Sequence, residues 1–327
     1  MNQKGFEEFL LSETHADCLE RVELVQSLWS GYGSLVRAKL TGSEFESVIV
    51  KYVNPENRSH PRGWNTVRSH RRKLKSYQVE SHWYSSQSST TACLQARIAK
   101  CYGAKTDGPE VILLLEDLDA AGFAGRRSSV NETEWKACVR WLASFHAQNL
   151  NLKPEGLWGS GTYWHLETRP DELECLEDQA LKDSAVSIDR ALKDCLFQTL
   201  VHGDAKLANF CFTPDGAEVA AVDFQYVGGG CGMKDLAYFV GSCFRDHESE
   251  KMENAVLEHY FEQLGIFLNL GGSGLGRDEL EEDWRPLYRV AWADFHRFMK
   301  GWSPGHWKLS DYSERVTREI MDALREK

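Results

Sequence analysis

Between Leu200 and Phe224 the chain reads LVHGDAKLANFCFTPDGAEVAAVDF, a stretch that narrows the possible folds more than any other. Apolar residues run into His202, Gly203 and Asp204, and Asn209 follows five positions after that aspartate. NFCF predicts a strand, Pro214-Asp215-Gly216 a turn, and EVAAVDF a returning strand ending at Asp223. A hairpin of this kind can carry Asp204, Asn209 and Asp223 to one end of a sheet. Two carboxylates and an amide oxygen suit Mg²⁺, a hard cation that keeps several waters and shares its shell with phosphates.

Taken singly, an Asp or Asn beside a turn is a capping or turn residue. In register, these residues match H-x-D-x-x-x-x-N followed by a strand ending in D-F, the spacing of phosphoryl-transfer sites. In that chemistry Asp204 orients the attacking hydroxyl and accepts its proton late, being too weak a base to ionise an alcohol beforehand. Asn209 and Asp223 hold the metal. Lys206, two residues beyond Asp204, places an ammonium near the γ-phosphate.

HGDAKLANFCF, then VDFQ, then KDLAYFVGS resembles the catalytic core of small-molecule kinases with a protein-kinase-like fold, the aminoglycoside phosphotransferase and choline kinase superfamily. HGD…N, VDFQ and DLAYF are nearest the ecdysteroid-kinase-like (CHK-kinase-like) group. The resemblance is dense over about residues 110–245. It implies an α+β bilobal fold: a small antiparallel-sheet lobe over residues 1–118 for the nucleotide, and a larger, mainly helical lobe over 119–327 for catalysis and the acceptor. The cofactors it implies are ATP and Mg²⁺. The acceptor is a hydroxyl of a small choline-, aminoglycoside- or steroid-like alcohol.

The flanking sequence takes on meaning in that light. RVELVQSLWSGYGSLVRAKL reads as a hairpin with glycines at its tip, where backbone N–H groups can approach phosphates. Gly31 and Gly33 fit the kinase glycine loop, whereas Val36 takes the third glycine's place; a plain β-turn explains the same residues. SVIVKYV is a strand from Ser47 that carries Lys51 among apolar residues, where an unpaired charge is costly. The resemblance makes Lys51 the lysine on the α/β-phosphates and Glu80, on a helix over 65–85, its ion-pair partner. EVILLLEDL is a buried strand ending at Glu116-Asp117-Leu118, and the resemblance assigns adenine to the backbone at Glu116 and Leu118. Asp235 is expected to brace the catalytic loop's backbone, and His146 to be a packed core histidine.

Beyond that, residues 171–199 read as further helix, and LNLGGSGLGRDELEED as a flexible loop. Two closing helices are expected at Trp284–Lys300 and Asp311–Lys327. The aromatic stripe on the first, with Trp302 and Trp307 beyond it, reads as core or as a wall of the acceptor pocket.

Net charge of −11 argues against general nucleic-acid binding. Nine scattered cysteines without a C-x-x-C pair suit small buried residues in a reducing compartment. MNQKGFEEFLLSE lacks the pattern of a signal segment and VILLL is too short to span a bilayer, so a soluble cytoplasmic protein is expected, with neither membrane nor obligate protein partner. Only eleven residues separate Asp223 from Asp235, without A-P-E, and Gln225 stands where a protein kinase has glycine. That leaves no room for a peptide platform. The alternatives are a catalytically weak nucleotide-binding protein of the same fold and a binder of hydrophobic ligands.

Overall fold

The computed structural model describes residues 3–28, 31–55, 67–87, 96–272 and 274–326. In chain order these form α1 (Gln3–Thr14), β1 (Cys18–Ser27), β2 (Gly33–Thr41), β3 (Ser47–Val53), α2 (Val67–Gln87), β4 (Arg97–Ile98), β5 (Cys101–Asp107) and β6 (Glu110–Glu116). There follow α3 (Glu132–Gln148), α4 (Pro170–Glu174), α5 (Gln179–Lys193), β7 (Thr199–Val201), β8 (Phe210–Phe212), β9 (Val219–Ala221) and β10 (Gly228–Gly230). The last elements are α6 (Met233–Cys243), α7 (His247–Leu270), α8 (Arg277–Trp284), α9 (Leu287–Trp302) and α10 (Asp311–Arg325). The first two residues of the helix read over 65–85 lie outside the described residues.

The fold is mixed α+β, with an antiparallel sheet near the N-terminus and helices beyond it. Two compact units divide the chain: Met1–Gly125 with 211–214 and 220–225, and the remainder.

In the first unit, five strands pair in the order β1-β2-β3-β6-β5, all antiparallel. Inward positions supply one core of Leu10, Ala38, Leu40, Val48, Val50, Ile112 and Leu114. Val48 and Val50 share one face of the sheet with Ile112 and Leu114, while Val111, Leu113 and Leu115 on the other face of β6 are buried too, so this strand is covered on both faces. A smaller sheet, β4-β9-β8, holds the returning strand of the 210–221 hairpin, with β4 parallel to β9.

Helices dominate the second unit. The α3 helix begins on a capping box in which Asn131 accepts from the Glu134 N–H and the Glu134 side chain accepts from the Asn131 N–H. α9 packs against α5, α6 and α10, and its Phe295, Phe298 and Met299 form a core with Trp164 and Tyr238. β7 and β10 pair antiparallel ahead of the catalytic loop.

Three element expectations are corrected. The further helix read over 171–199 comes as two, α4 and α5, with Asp178 accepting from the Leu181 N–H to cap α5, and it stops at Lys193, short of Thr199 where β7 begins. The loop read through residue 283 contains α8, whose strong helix formers Glu and Leu outweigh the glycines before them. Trp284 therefore ends one helix, and Pro286, which has no N–H to donate, precedes the next. No helix among the described residues is long and apolar enough to cross a membrane.

Candidate active site

In the first unit, β3 presents Lys51 to α2 and to the end of the 210–221 hairpin. Its Nζ lies 2.7 Å from Glu80 Oε2 and 3.2 Å from Asp223 Oδ1. Lys51 and Glu80 are both buried. Burial works against the ammonium, but the Glu80 and Asp223 carboxylates more than offset it and hold Lys51 as a cation.

Asp223 adopts a left-handed backbone, φ 70°, rare for a side chain with a Cβ. Gln225 explains how it is kept there. The Gln225 amide donates to Asp223 Oδ1 at 2.5 Å, and its carbonyl accepts from Lys73 Nζ at 2.7 Å and Ser76 Oγ at 3.2 Å. In the sequence Gln225 stood out as the end of VDFQ and as a departure from the protein-kinase glycine; its distance along the chain from Lys73 and Ser76, both on α2, gave no signal of this role.

Two backbone bonds tie the glycines to the end of β1. Leu28 N–H donates to Gly33 O at 2.8 Å, and Gly31 N–H closes back on Leu28 O at 3.1 Å. A Cβ on Gly33 would stand 2.0 Å from Tyr52 O, so that glycine is required by the sheet itself.

At the end of β6, both Glu116 carboxylate oxygens are engaged, by Arg97 Nη2 at 2.6 Å and by the Lys100 N–H at 3.0 Å. The Leu118 carbonyl accepts from Phe123 N–H at 2.8 Å. Asp117 between them was read as part of a strand end, yet it is the best-anchored residue of the three. It accepts from Arg37 Nε at 2.6 Å, Ser47 Oγ at 2.7 Å and the Asp119 N–H at 3.1 Å. Burial alone would raise its pKa, but these donors bring it below the ordinary range.

In the second unit, the loop from His202 to Asn209 is held from below. Asp235 accepts the His202 N–H at 2.5 Å and the Gly203 N–H at 2.9 Å, as a brace for the loop's backbone must. His146 is a buried core histidine bonded to Asp235 and to the Tyr260 hydroxyl. Gly203 turns the chain with φ 79°, and a Cβ there would lie 2.1 Å from Tyr226 O.

Asp204 emerges from this turn nearly buried, 6% exposed. Its Oδ2 accepts from Lys206 Nζ at 2.8 Å and from Asn209 Nδ2 at 3.0 Å. Its Oδ1 is buried and accepts no hydrogen bond. Asn209 Nδ2 also donates to Asp204 O at 2.8 Å, which fixes the amide and leaves its Oδ1 without a donor among the described residues. A carbonyl oxygen so placed fits a hard cation, as does the carboxylate of Asp223. Among the described residues, no three His, Cys, Asp or Glu side chains cluster as a self-sufficient metal cage.

Several solved structures share this fold. An ethanolamine kinase of Plasmodium vivax has a TM-score of 0.51 at 14% identity, over 99% of this chain and 96% of that one. A microcompartment-associated aminopropanol kinase gives 0.51 at 14% identity, over 97% and 94%. A thermostable aminoglycoside phosphotransferase in ternary complex with AMP-PNP and hygromycin B gives 0.51 at 11% identity, over 97% and 98%. No curated protein matches the chain by sequence. Residues 92–270, more than half of the chain and the part that carries Asp204, Asn209, Asp223 and Asp235, match the phosphotransferase enzyme family, and the chain belongs to that family.

Proposed function

We propose that this protein is a small-molecule kinase that transfers the γ-phosphoryl group of ATP, with Mg²⁺, to an alcohol hydroxyl. The observation that carries the reading is Asp204: one oxygen fixed by Lys206 and Asn209, the other buried and free to accept, on a loop pinned by Asp235. A carboxylate so held can align an alcohol O–H and take its proton as the P–O bond forms. Bound MgATP supplies the electrophilic phosphorus and spreads the charge of the leaving phosphate.

The chain's own residues divide the remaining work. Lys51, kept charged by Glu80, is placed on the α/β-phosphates, with Gly31 and Gly33 allowing the hairpin backbone a close approach to them. The backbone at Glu116 and Leu118 meets the adenine edge; the Leu118 N–H has no protein acceptor among the described residues. Asn209 and Asp223 offer oxygens to Mg²⁺. Lys206 leaves Asp204 for the γ-phosphate as charge builds there. In this reading residues 1–118 hold the nucleotide, and 119–327 carry the catalytic residues and the acceptor.

The solved relatives are named for ethanolamine, aminopropanol and aminoglycoside acceptors. HGD…N, VDFQ and DLAYF favour the ecdysteroid-kinase-like group, whose acceptors extend the range to steroid-like alcohols. A metabolite extract incubated with γ-labelled ATP and Mg²⁺ tests the reading. We expect one labelled small molecule with the native enzyme and none with Asp204→Asn. Ligand binding that survives Asp204→Asn, with no turnover by either protein, would instead mark a binding protein.

A further inference from the structure

After α9 the chain carries His306, Trp307 and Lys308, and within the second unit it sets two cations on one indole. Lys308 Nζ lies 4.5 Å from the centre of the Tyr238 ring, 5.4 Å from Phe295 and 5.7 Å from Trp307. The Arg245 guanidinium lies 5.0 Å from the same Trp307 ring. His306 stacks on that indole with centroids 5.6 Å apart. Trp307 is itself 51% exposed, in contrast to Trp284 and Trp292 on the neighbouring helices, which are core.

Neither cation has a carboxylate partner among the described residues. Glu248 accepts from the Arg245 backbone N–H, not its guanidinium, and Asp246 accepts from the Tyr312 N–H. Other sheltered cations of this unit are paired: Arg297 with Asp294 at 2.8 Å, and Lys300 with Asp178 and Glu314, each at 3.0 Å. Cation–π contact returns less than removing an ammonium from water costs. The imbalance is visible in Lys308. Burial among the rings pulls its pKa down to about 8, although the Asp204 carboxylate acts in the opposite direction. Geometry places the pair beside the Asp204 loop: the Leu207 N–H of that loop donates to Ser242 Oγ at 2.9 Å, and Ser242 lies on the same α6 helix as Tyr238, the ring under Lys308, three residues before Arg245.

We propose that Trp307, Arg245 and Lys308 form the acceptor subsite beside Asp204, and that it takes an alcohol bearing an anionic group, carboxylate or phosphate, on a flat apolar body. The body stacks on the exposed indole. The anion receives the planar donors of exposed Arg245 and the ammonium of Lys308, whose desolvation is then offset by a partner. A choline- or aminoglycoside-like cation would add positive charge to Lys206, Lys308 and Arg245, with Asp204 already engaged by Lys206. That the hydroxyl is phosphorylated rests on the kinase reading; the charge preference rests on the cations alone.

A charge-matched series tests it: 4-(hydroxymethyl)benzoate, 4-(hydroxymethyl)benzamide and 4-(hydroxymethyl)benzylamine, titrated by thermal melting. We expect the benzoate to raise Tm most and the benzylamine least. Lys308→Met with Arg245→Met should weaken the benzoate about tenfold or more, the scale of one or two lost charge-assisted hydrogen bonds. Arg245 is exposed, so Arg245→Met alone gives a folded protein for the same titration if the double variant melts early. Tighter binding of the benzylamine, benzoate binding undiminished in the variants, or no binding by any of the three overturns the proposal. So does a variant that loses stabilisation by MgATP but not by the benzoate, since the cations would then serve the nucleotide. ATP turnover by the native protein is scored separately: its absence, with the benzoate preference intact, removes the kinase reading and leaves the anion site.

Discussion

Asp223 stands in a backbone conformation that costs a non-glycine residue about 1–2 kcal/mol, and Gln225 is the device that holds its carboxylate. Loss of a group that orients a ligand oxygen typically costs 10–100-fold in metal affinity or activity. Gln225→Ala should therefore raise the Mg²⁺ concentration for half-maximal activity by about 10–100-fold, with Tm moved by only a few degrees. Unchanged Mg²⁺ dependence would leave Gln225 a packing residue. Asp204→Asn should behave differently, because Asn209 and Lys206 can still meet the remaining oxygen. We expect kcat to fall by about 10²–10⁴-fold while nucleotide affinity, followed by dialysis against labelled ATP, changes little. Of these residues, Asp204, Asn209 and Asp223 were legible because their spacing is local. Gln225 was not, since its partners on α2 lie 149 and 152 residues earlier in the chain. Lys308 is a further case: nothing in GHWKLS announces a cation enclosed by Tyr238 and Phe295.

At the scale of elements, periodicity carried most of the fold. β3, β6 and α3 stand where alternating or helical apolar spacing put them, and the Asn131 capping box marks where α3 starts. Misreadings fell where two local signals competed. Glycines at 271–276 suggested a loop, but α8 follows at once with Asp278 and Glu279 in its first turn, favourable at a helix N-terminus. The pairing of α9 with α10 illustrates what no pattern gives. Buried His296 on α9 bonds Ser313 Oγ and Glu314 Oε2 of α10, each at 2.9 Å, and Glu314 is shared with Lys300 and Arg318. Burial, ahead of the opposing pull of Glu314, depresses the His296 pKa to about 4. The unfolded chain, with an ordinary histidine near 6.5, therefore takes the proton first. This contribution is complete above about pH 6.5 and is lost as the pH falls toward 4, by at most about 3 kcal/mol. Melting curves across that window should show a decline that His296→Gln makes shallower. An equal slope in both proteins would assign the acid sensitivity to other groups.

For the whole molecule, the two compact units each supply one lysine to the proposed reaction, and kinetics can tell their roles apart. Lys51 belongs to the first unit, buried and fixed by Glu80 and Asp223. Lys206 belongs to the second, 38% exposed at its side chain and resting on Asp204. A cation on the α/β-phosphates meets charge that is present in the ground state and persists through the reaction. Lys51→Ala should accordingly raise KM for ATP as well as lower kcat. It also strands Glu80 as a buried carboxylate without its main partner, so we expect a lower Tm in the absence of nucleotide. A cation that reaches the γ-phosphate only as bonds exchange contributes chiefly to the transition state. Lys206→Ala should lower kcat and kcat/KM by similar factors, with KM for ATP nearly constant. After its removal the buried Asp204 Oδ2 still accepts from Asn209 Nδ2, so Tm should fall less than in Lys51→Ala. The net charge of −11 makes the contrast more telling. In a molecule with so few cations to spare, ATP must be met by particular lysines and Mg²⁺ rather than by a general positive field. If Lys206→Ala raises KM for ATP as much as Lys51→Ala does, both lysines bind the resting nucleotide, and the division of roles between them is wrong.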